Sequence, residues 1–188
     1  LFVGDIMLDR NVAKKAREQD LSSLFKNIKD IFKDKDLVIG NLEGTITNNK
    51  SISEYNHNIL RFTFNPSYAK ELKDIGFTTF SLANNHSGDF YSDGYEQTKN
   101  NLTEAGLQYF GSSRNDTDIS TIVKQNDKNI CFIGYHDLYT FDESPVIIEI
   151  IRLRPSCDYI IVFTHWGDEY KTIQSNRQTL LAHSFIDS

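Results

Sequence analysis

The chain has little of what marks the more specialised protein classes. No run approaches the roughly 20 apolar residues that a membrane-spanning helix needs, and no signal-peptide core follows Leu1. Only three prolines and ten glycines occur among 188 residues, and the composition of 39% hydrophobic and 24% charged residues is typical of a globular protein. Disordered and collagen-like classes are therefore excluded, and we expect any membrane anchor to lie upstream of Leu1.

Cysteine is almost absent. The two cysteines, Cys131 and Cys157, each lie in or beside an apolar run, and their spacing matches no C-x-x-C metal or redox motif. The pattern favours small buried hydrophobic residues. It leaves their redox state, and hence the compartment, open.

Basic residues are also too few for a nucleic-acid-binding surface. The chain carries 20 lysines and arginines against 26 aspartates and glutamates, so its net charge is −6 and its pI is near 5.3. Binding to a phosphate backbone needs a basic stripe. We therefore expect no nucleic-acid partner.

What is present is an alternation of strand-like and helix-like segments, which predicts a single α/β domain over residues 1–188. The predicted strands are Leu1–Val3, Asp36–Gly40, Phe77–Leu82, Ile119–Lys124, Asn129–Gly134 and Asp158–Phe163. The predicted helices are one from the Asp20 cap through Leu21 to Phe32, one opened by Asn65-Pro66 and closed by Gly76, and two at Ser92–Ala105 and Asn176–Ile186. Phe141–Pro155 is predicted as a helix, although its apolar residues follow neither a clean helical nor a clean strand period.

Polar residues follow four of the predicted strands, where each strand ends. They are Asp5, then Asn41 with Glu43, then Asn85 with His86, and then His165. In α/β folds, ligands bind beyond the carboxyl ends of the strands. We expect all six residues to lie on one face of the molecule.

Each cluster also has a plainer interpretation. Asp5 after Gly4 is a turn residue in most proteins, and Asn41 with Glu43 can simply end a strand. A lone histidine such as His165 is more often structural than a ligand. The joint pattern is what favours a functional site, because carboxamide oxygens and imidazole nitrogens suit transition-metal or phosphate chemistry.

Four motifs in this order resemble those of a known family. They are GDIMLDR (Gly4–Arg10), NLEGTIT (Asn41–Thr47), SLANNHSGDFYSDG (Ser81–Gly94) and THWGDEY (Thr164–Tyr170). The series is similar to that of the CapA/PgsA capsule-synthesis proteins, a divergent branch of the calcineurin-like metallophosphoesterases. The resemblance covers essentially the whole chain, and NNH with HWG-x-E-Y is its most specific part.

The resemblance implies a fold and a metal site. The fold is an α/β four-layer αββα sandwich, whose last strands we expect beyond Ser188. The site holds one or two divalent ions (Mn, Fe or Zn), and the implied metal ligands are Asp5, Asn41, Glu43, Asn85 and His165. His86 is the implied catalytic residue. We expect Asp89 to orient His86, and Glu169 to orient His165, by accepting from the imidazole N–H.

The chain departs from the phosphoesterase pattern at three points. The D-x-H motif reads Asp5-Ile6-Met7, so its histidine is absent, and G-D-x-x-D carries the amide Asn41 in place of a bridging carboxylate. A neutral amide holds a dication less tightly than a carboxylate does. We expect the final histidine ligands in a G-H-x-P-H segment beyond Ser188, so the chain alone is expected to hold one metal or none.

Two functions follow from the resemblance. The first is a metal-dependent hydrolase acting on a phosphorylated or polyanionic cell-envelope substrate, and Asn85, His86 and His165 favour it. The second is a non-catalytic scaffold or polymer-binding component of the capsule or poly-γ-glutamate machinery, favoured by the altered metal motifs. Either implies the outer face of the cell membrane, reached through an anchor outside these residues. A third alternative is an unrelated α/β domain.

Overall fold

The computed structural model describes residues 1–138 and 142–188. Along the chain its elements are β1 (Phe2–Ile6), α1 (Arg10–Gln19), α2 (Leu21–Phe25), α3 (Lys29–Phe32), β2 (Ile39–Leu42), β3 (Thr45–Ile46), β4 (Thr63–Phe64), α4 (Ser67–Ile75), β5 (Thr79–Ser81), α5 (Tyr91–Glu104), β6 (Gln108–Phe110), β7 (Ser120–Gln125), β8 (Lys128–His136), α6 (Ser144–Leu153), β9 (Tyr159–His165) and α7 (Asn176–Asp187).

These elements fall into two compact units. Unit 1 comprises Leu1–Ser81 and His86–Tyr109, and unit 2 comprises Leu82–Asn85 and Phe110–Ser188. That residues 1–188 form a single domain stays a prediction. The predicted α/β class is confirmed, because parallel strands alternate with helices along the chain.

The main sheet has the strand order β1-β2-β5-β6, and β1, β2 and β5 run parallel. Asp5 pairs in register with Asn41, and Asn41 pairs with Ser81. The first two strands extend further than the sequence pattern predicts, so Asp5 and Asn41 lie within strands and not after them. Parallel strands bring their carboxyl ends to one edge of the sheet, and both polar residues lie near that edge.

Aromatic side chains fill the core of unit 1. Phe77 stacks on Phe80 with ring centroids 5.0 Å apart and also contacts Phe25 and Phe32. The single helix predicted from Leu21 to Phe32 is wrong: the segment forms two short helices, α2 and α3. The side chain of Asp20 caps α2 by accepting from the Ser23 main-chain N–H at 2.8 Å. Phe25 and Phe32 still reach the same core despite the break between α2 and α3. The spacing of the apolar residues therefore did not reveal the break.

A buried carboxylate joins three segments of unit 1. Asp9 is fully buried and accepts hydrogen bonds from the main chain of Arg10, from the Ser51 hydroxyl and from the Thr63 main-chain N–H. Its side chain thereby caps α1, a helix that the apolar pattern did not predict, and ties it to the 47–58 segment and to β4. A buried carboxylate is tolerated only when its oxygens are satisfied in this way.

Unit 2 contains a sheet with strand order β7-β8-β9, in which β8 pairs antiparallel with β7 and parallel with β9. The hairpin predicted from the two runs that flank QNDK is confirmed. Its turn falls at Asn126-Asp127, both of which have positive φ. Apolar residues of α6 and α7 pack on this sheet around Ile133 and Tyr135.

Most of the other predicted helices are also confirmed. Gly76, with a φ of 124°, ends α4, and α5 and α7 lie within one residue of their predicted ends. The predicted helix Phe141–Pro155 is present as α6, although Phe141 itself lies outside the described residues. Among the helices of residues 1–138 and 142–188, none is long and apolar enough to span a bilayer.

The structure resolves the redox state of the two cysteines, which the sequence left open. Cys131 on β8 and Cys157, just before β9, form a disulfide with their Cα atoms 6.0 Å apart. Parallel pairing of β8 and β9 places Cys131 opposite Ile160, close to the start of β9. Only this register brings together two cysteines that are 26 residues apart in sequence.

Replacing Asp9 tests its anchoring role. We expect Asp9→Ala to lower the free energy of unfolding by about 3 kcal/mol, because it leaves buried donors without an acceptor. Urea unfolding followed by far-UV circular dichroism measures the change. Asp74→Ala is the matched control, since Asp74 forms an exposed pair with Lys70. An equal, small effect of both substitutions would contradict the anchoring role.

The disulfide is expected to stabilise unit 2. Closing a loop of this length lowers the entropy of the unfolded chain, which corresponds to about 3–4 kcal/mol of stability. A reducing agent should therefore lower Tm in calorimetry, and the Cys131→Ser/Cys157→Ser double variant should melt at the reduced temperature with or without reductant. A Tm that does not respond to reductant in the unsubstituted protein would show that the bond does not form.

Candidate functional site

In unit 1, the first two strand-end residues contact each other. The Asn41 side-chain amide donates to Asp5 Oδ1 at 2.7 Å, and Asn41 is buried. An N–H donor satisfies the carboxylate without a cation, whereas two carboxylates at this distance would repel each other. The amide in place of the superfamily carboxylate is thus compatible with a metal-free pair.

Glu43 lies one residue beyond β2 and is half-buried. Its main-chain N–H donates to the Ile6 carbonyl oxygen at 3.1 Å. The next residue, Gly44, has a φ of 143°, and a Cβ built on it would lie 2.6 Å from the Phe64 ring. Since only glycine fits there, the chain direction just after Glu43 is tightly constrained.

The predicted His86–Asp89 contact is present in unit 1. His86 Nδ1 lies 2.8 Å from Asp89 Oδ2, and both side chains are largely buried. A carboxylate next to Nδ1 favours the tautomer that carries its proton there. That Asp89 acts by orienting a catalytic His86 stays a prediction.

In unit 2, the structure brings Asn85 and His165 together. His165 Nε2 lies 3.1 Å from Asn85 Oδ1, and His165 is the last residue of β9. The two residues are 80 positions apart in sequence. Both present atoms that ligate transition metals, a carboxamide oxygen and an imidazole nitrogen.

Two glycines allow this contact. A Cβ built on Gly111 or on Gly134 would lie 2.7 Å from atoms of Ala83, closer than real side chains approach. The Leu82 main-chain N–H donates to the Phe110 carbonyl oxygen at 2.7 Å in the same segment. The absence of side chains at both glycines therefore lets the 82–85 segment, and with it Asn85, lie close against β8.

One polar residue beside His165 was not among the predicted site residues. His136 ends β8, is fully buried and pairs in register with His165. Its Nε2 donates to the Ser113 carbonyl oxygen at 2.7 Å, and burial lowers the pKa of its imidazole. His136 follows an apolar strand as the other clusters do, but the predicted strand stopped at Gly134 and so hid the pattern.

The structure does not bring Glu169 to His165. Glu169 lies exposed in the turn after β9, next to Tyr170, which has a φ of 60°. No hydrogen bond joins Glu169 to His165 in the part of the chain that the structure describes. Glu169 lies four positions after His165 in the HWG-x-E-Y motif, and that spacing did not reveal its exposure.

Each unit thus supplies one pair of donors for a divalent ion. The pairs are Asp5 with Asn41, and Asn85 with His165. Within residues 1–138 and 142–188, no group of three or more His, Cys, Asp or Glu side chains is placed to hold a metal. Two donors 3.1 Å apart can both lie about 2.1 Å from one ion, so the Asn85–His165 pair fits a metal completed by water or substrate oxygens. That all six predicted residues share one face stays a prediction.

The Asp5–Asn41 contact can be tested with Asn41→Asp. At pH 7 in EDTA we expect this variant to lose about 2 kcal/mol of stability, because a buried carboxylate at position 41 would lie against the exposed Asp5 carboxylate and the two cannot both ionise without cost. Protonation removes the repulsion, so the loss should disappear below about pH 4. Mn²⁺ should raise Tm more in the variant than in the unsubstituted protein. Asn100→Asp, at an exposed helix position, is the control. Equal stability of both variants at pH 7 would contradict the contact.

Similar proteins support the resemblance seen in the motifs. The chain is 28% identical over 209 residues to the capsule biosynthesis protein CapA of Bacillus anthracis and 29% identical over 204 residues to the PGA biosynthesis protein CapA of Bacillus subtilis (strain 168). Each match covers 100% of this chain but only 51% and 53% of those proteins. The chain therefore spans about half the length of the curated relatives that it matches.

Solved structures share the fold. A hypothetical protein from Thermus thermophilus matches with a TM-score of 0.54 at 18% identity, over 97% of this chain and 61% of its own. A Staphylococcus aureus protein provisionally named a 5′-nucleotidase, in complex with alpha-ketoglutarate, matches with a TM-score of 0.55 at 14% identity, over 99% of this chain and 42% of its own. The predicted metallophosphoesterase-like α/β fold is confirmed. The family profile of the bacterial capsule synthesis protein PGA_cap matches residues 1–188, and the chain belongs to that family.

Proposed function

We propose that this chain forms the metallophosphatase-like part of a capsule or poly-γ-glutamate biosynthesis protein, and that it hydrolyses a phosphate ester in a phosphorylated or polyanionic cell-envelope substrate. The observation that carries the proposal is the contact between Asn85 Oδ1 and His165 Nε2, 3.1 Å apart. These two residues come from separate motifs of the family, and nothing in the packing of an ordinary strand end requires them to meet. The names of the two Bacillus relatives support the biosynthetic setting.

In this proposal, Asn85 and His165 hold a divalent ion, and Asp5 with Asn41 forms a second and weaker donor pair. Glu43 is the remaining proposed ligand. A bound Mn²⁺, Fe²⁺ or Zn²⁺ supplies a Lewis acid for the phosphoryl oxygen and lowers the pKa of a bound water. The protein's own contribution is to hold the donor atoms in position before substrate arrives.

His86 follows Asn85 directly in the chain and is the proposed general acid. Asp89 accepts from Nδ1 at 2.8 Å, which leaves Nε2 as the nitrogen that transfers a proton. In the imidazolium form, Nε2–H donates its proton to the leaving oxygen, while the other proton stays on Nδ1, hydrogen-bonded to Asp89. The pairing also limits rotation of the imidazole ring.

A non-catalytic scaffold or polymer-binding role is the second candidate. Asn41 satisfies Asp5 without a cation, and Met7 stands where ordinary phosphoesterases carry a histidine. Both features fit a fold that has lost its second metal. In this role the chain would act through contacts with an anionic polymer or with other capsule-assembly proteins.

We also propose that the domain works on the outer face of the cell membrane, through an anchor outside these residues. The Cys131–Cys157 disulfide supports this location, because disulfides form and persist in oxidising compartments outside the cytosol. The names of the capsule-biosynthesis relatives support a role in the cell envelope.

Metal content decides between the two functions. The domain, extended through the segment expected beyond Ser188, is loaded with Mn²⁺, desalted and analysed for bound metal, and then assayed with bis(p-nitrophenyl) phosphate. We expect close to stoichiometric metal, which falls sharply in Asn85→Ala and in His165→Ala because each removes one donor. His86→Ala should keep its metal and lose most of its hydrolysis.

His183→Ala is the matched control, because His183 is exposed on α7. It should retain metal and activity. Absence of bound metal in the folded protein would reject the hydrolase and favour the scaffold.

A further inference from the structure

Two adjacent residues, Arg61 and Phe62, contact the His86–Asp89 pair and the residues that directly follow it. These residues precede β4 and lie 27 to 28 positions before Asp89 in the chain. All of the contacts lie within unit 1. No motif identified in the sequence includes either residue.

Phe62 contacts both members of the pair. Its main-chain N–H donates to Asp89 Oδ2 at 2.6 Å, the same oxygen that lies 2.8 Å from His86 Nδ1. Its ring packs against the imidazole with centroids 4.3 Å apart and an interplanar angle of 38°. The carboxylate is therefore held from the main chain, and one face of the imidazole is covered by an apolar ring.

Arg61 fixes the turn that carries Asp89. Its Nε and Nη2 both donate to the Asp89 carbonyl oxygen, at 2.9 and 2.6 Å. Its guanidinium lies over the rings of Phe90 and Tyr91, 4.8 and 5.2 Å from their centroids. Tyr91 has a φ of 58°, a conformation that costs free energy at a residue with a side chain. The arginine contacts offset part of that cost.

The Arg61 main chain is itself anchored. Ser53 is fully buried, its hydroxyl donates to the Arg61 carbonyl oxygen at 2.8 Å, and it accepts from the Arg61 N–H at 2.9 Å. The position of the clamp, meaning Arg61 and Phe62 together, is thus fixed in part by hydrogen bonds to a buried serine.

We infer that Arg61 and Phe62 are positioning residues that hold Asp89 against His86 Nδ1, so that the neutral imidazole rests as the Nδ1–H tautomer and Nε2 is the nitrogen that takes up and then donates the transferred proton. This inference rests on the role proposed above for His86. A histidine free in water prefers the proton on Nε2, so a population held as Nδ1–H reports that the Asp89 carboxylate is in place. Misplacement of a proton donor by even about 1 Å costs roughly 10- to 100-fold in rate.

The test is the ¹⁵N–¹H spectrum of the His86 imidazole, recorded for the unsubstituted protein, Arg61→Met and Phe62→Leu. Phe62→Leu keeps the main-chain donor and an apolar side chain but removes the aromatic packing. We expect Nδ1–H in the unsubstituted protein and a growing Nε2–H fraction in both variants. With bis(p-nitrophenyl) phosphate and Mn²⁺, kcat should fall roughly 10- to 100-fold with KM little changed.

Arg17→Met is the matched control, because Arg17 makes a comparable two-bond pair with Glu54 elsewhere in unit 1. It should leave the His86 spectrum and kcat unchanged. An unchanged Nδ1–H signal in folded Phe62→Leu and Arg61→Met would overturn the inference. If Arg61→Met does not fold, the spectrum of Phe62→Leu by itself tests the inference. The spectrum needs no substrate, so it tests the clamp independently of hydrolysis. If the variants lose the Nδ1–H signal and the unsubstituted protein does not hydrolyse the phosphate ester, the hydrolase is rejected and the clamp is supported.

Discussion

Parallel pairing of neighbouring strands is the constraint on which the polar residues of both units depend. In unit 1 the pairing of β1 with β2 sets Asp5 beside Asn41, and in unit 2 the pairing of β8 with β9 sets His136 beside His165. Parallel strands end at the same edge of a sheet, so polar residues that follow apolar runs meet there. The same pairing brings Cys131 close enough to Cys157 for a disulfide.

Burial then determines which polar residues are tolerated at those strand ends. Asn41 and Asp9 are both buried, and each is satisfied by named hydrogen bonds within unit 1. An amide at position 41 completes its contact with Asp5 without a cation, whereas a carboxylate there would repel Asp5 unless a cation or a proton neutralised one of the two. With an amide at position 41, this contact therefore stabilises the fold whether or not a metal is bound. That property suits either a weakly metallated hydrolase or a scaffold.

The proposed general acid shows how much of a site lies outside its motifs. His86 and Asp89 belong to one motif, but the groups that hold them come from Arg61 and Phe62, in a segment with no recognisable pattern. Such supporting contacts are ordinary hydrogen bonds and ring packing, so they leave no signature in spacing or composition. Similarly, Gly111 and Gly134 determine where Asn85 lies, although neither carries a functional group.

The sequence by itself determined the α/β class, the β7–β8 hairpin, most helix ends and the family, because apolar periodicity, glycine and proline at helix ends, and local motifs act over short distances. It also predicted the His86–Asp89 contact, since three residues of spacing bring the two side chains together. Only the tertiary structure decided the break between α2 and α3, the Cys131–Cys157 disulfide, the buried His136 and the exposure of Glu169. Each of these depends on strand register or on packing between residues distant in sequence, and the free energy of such contacts is not encoded in any local pattern.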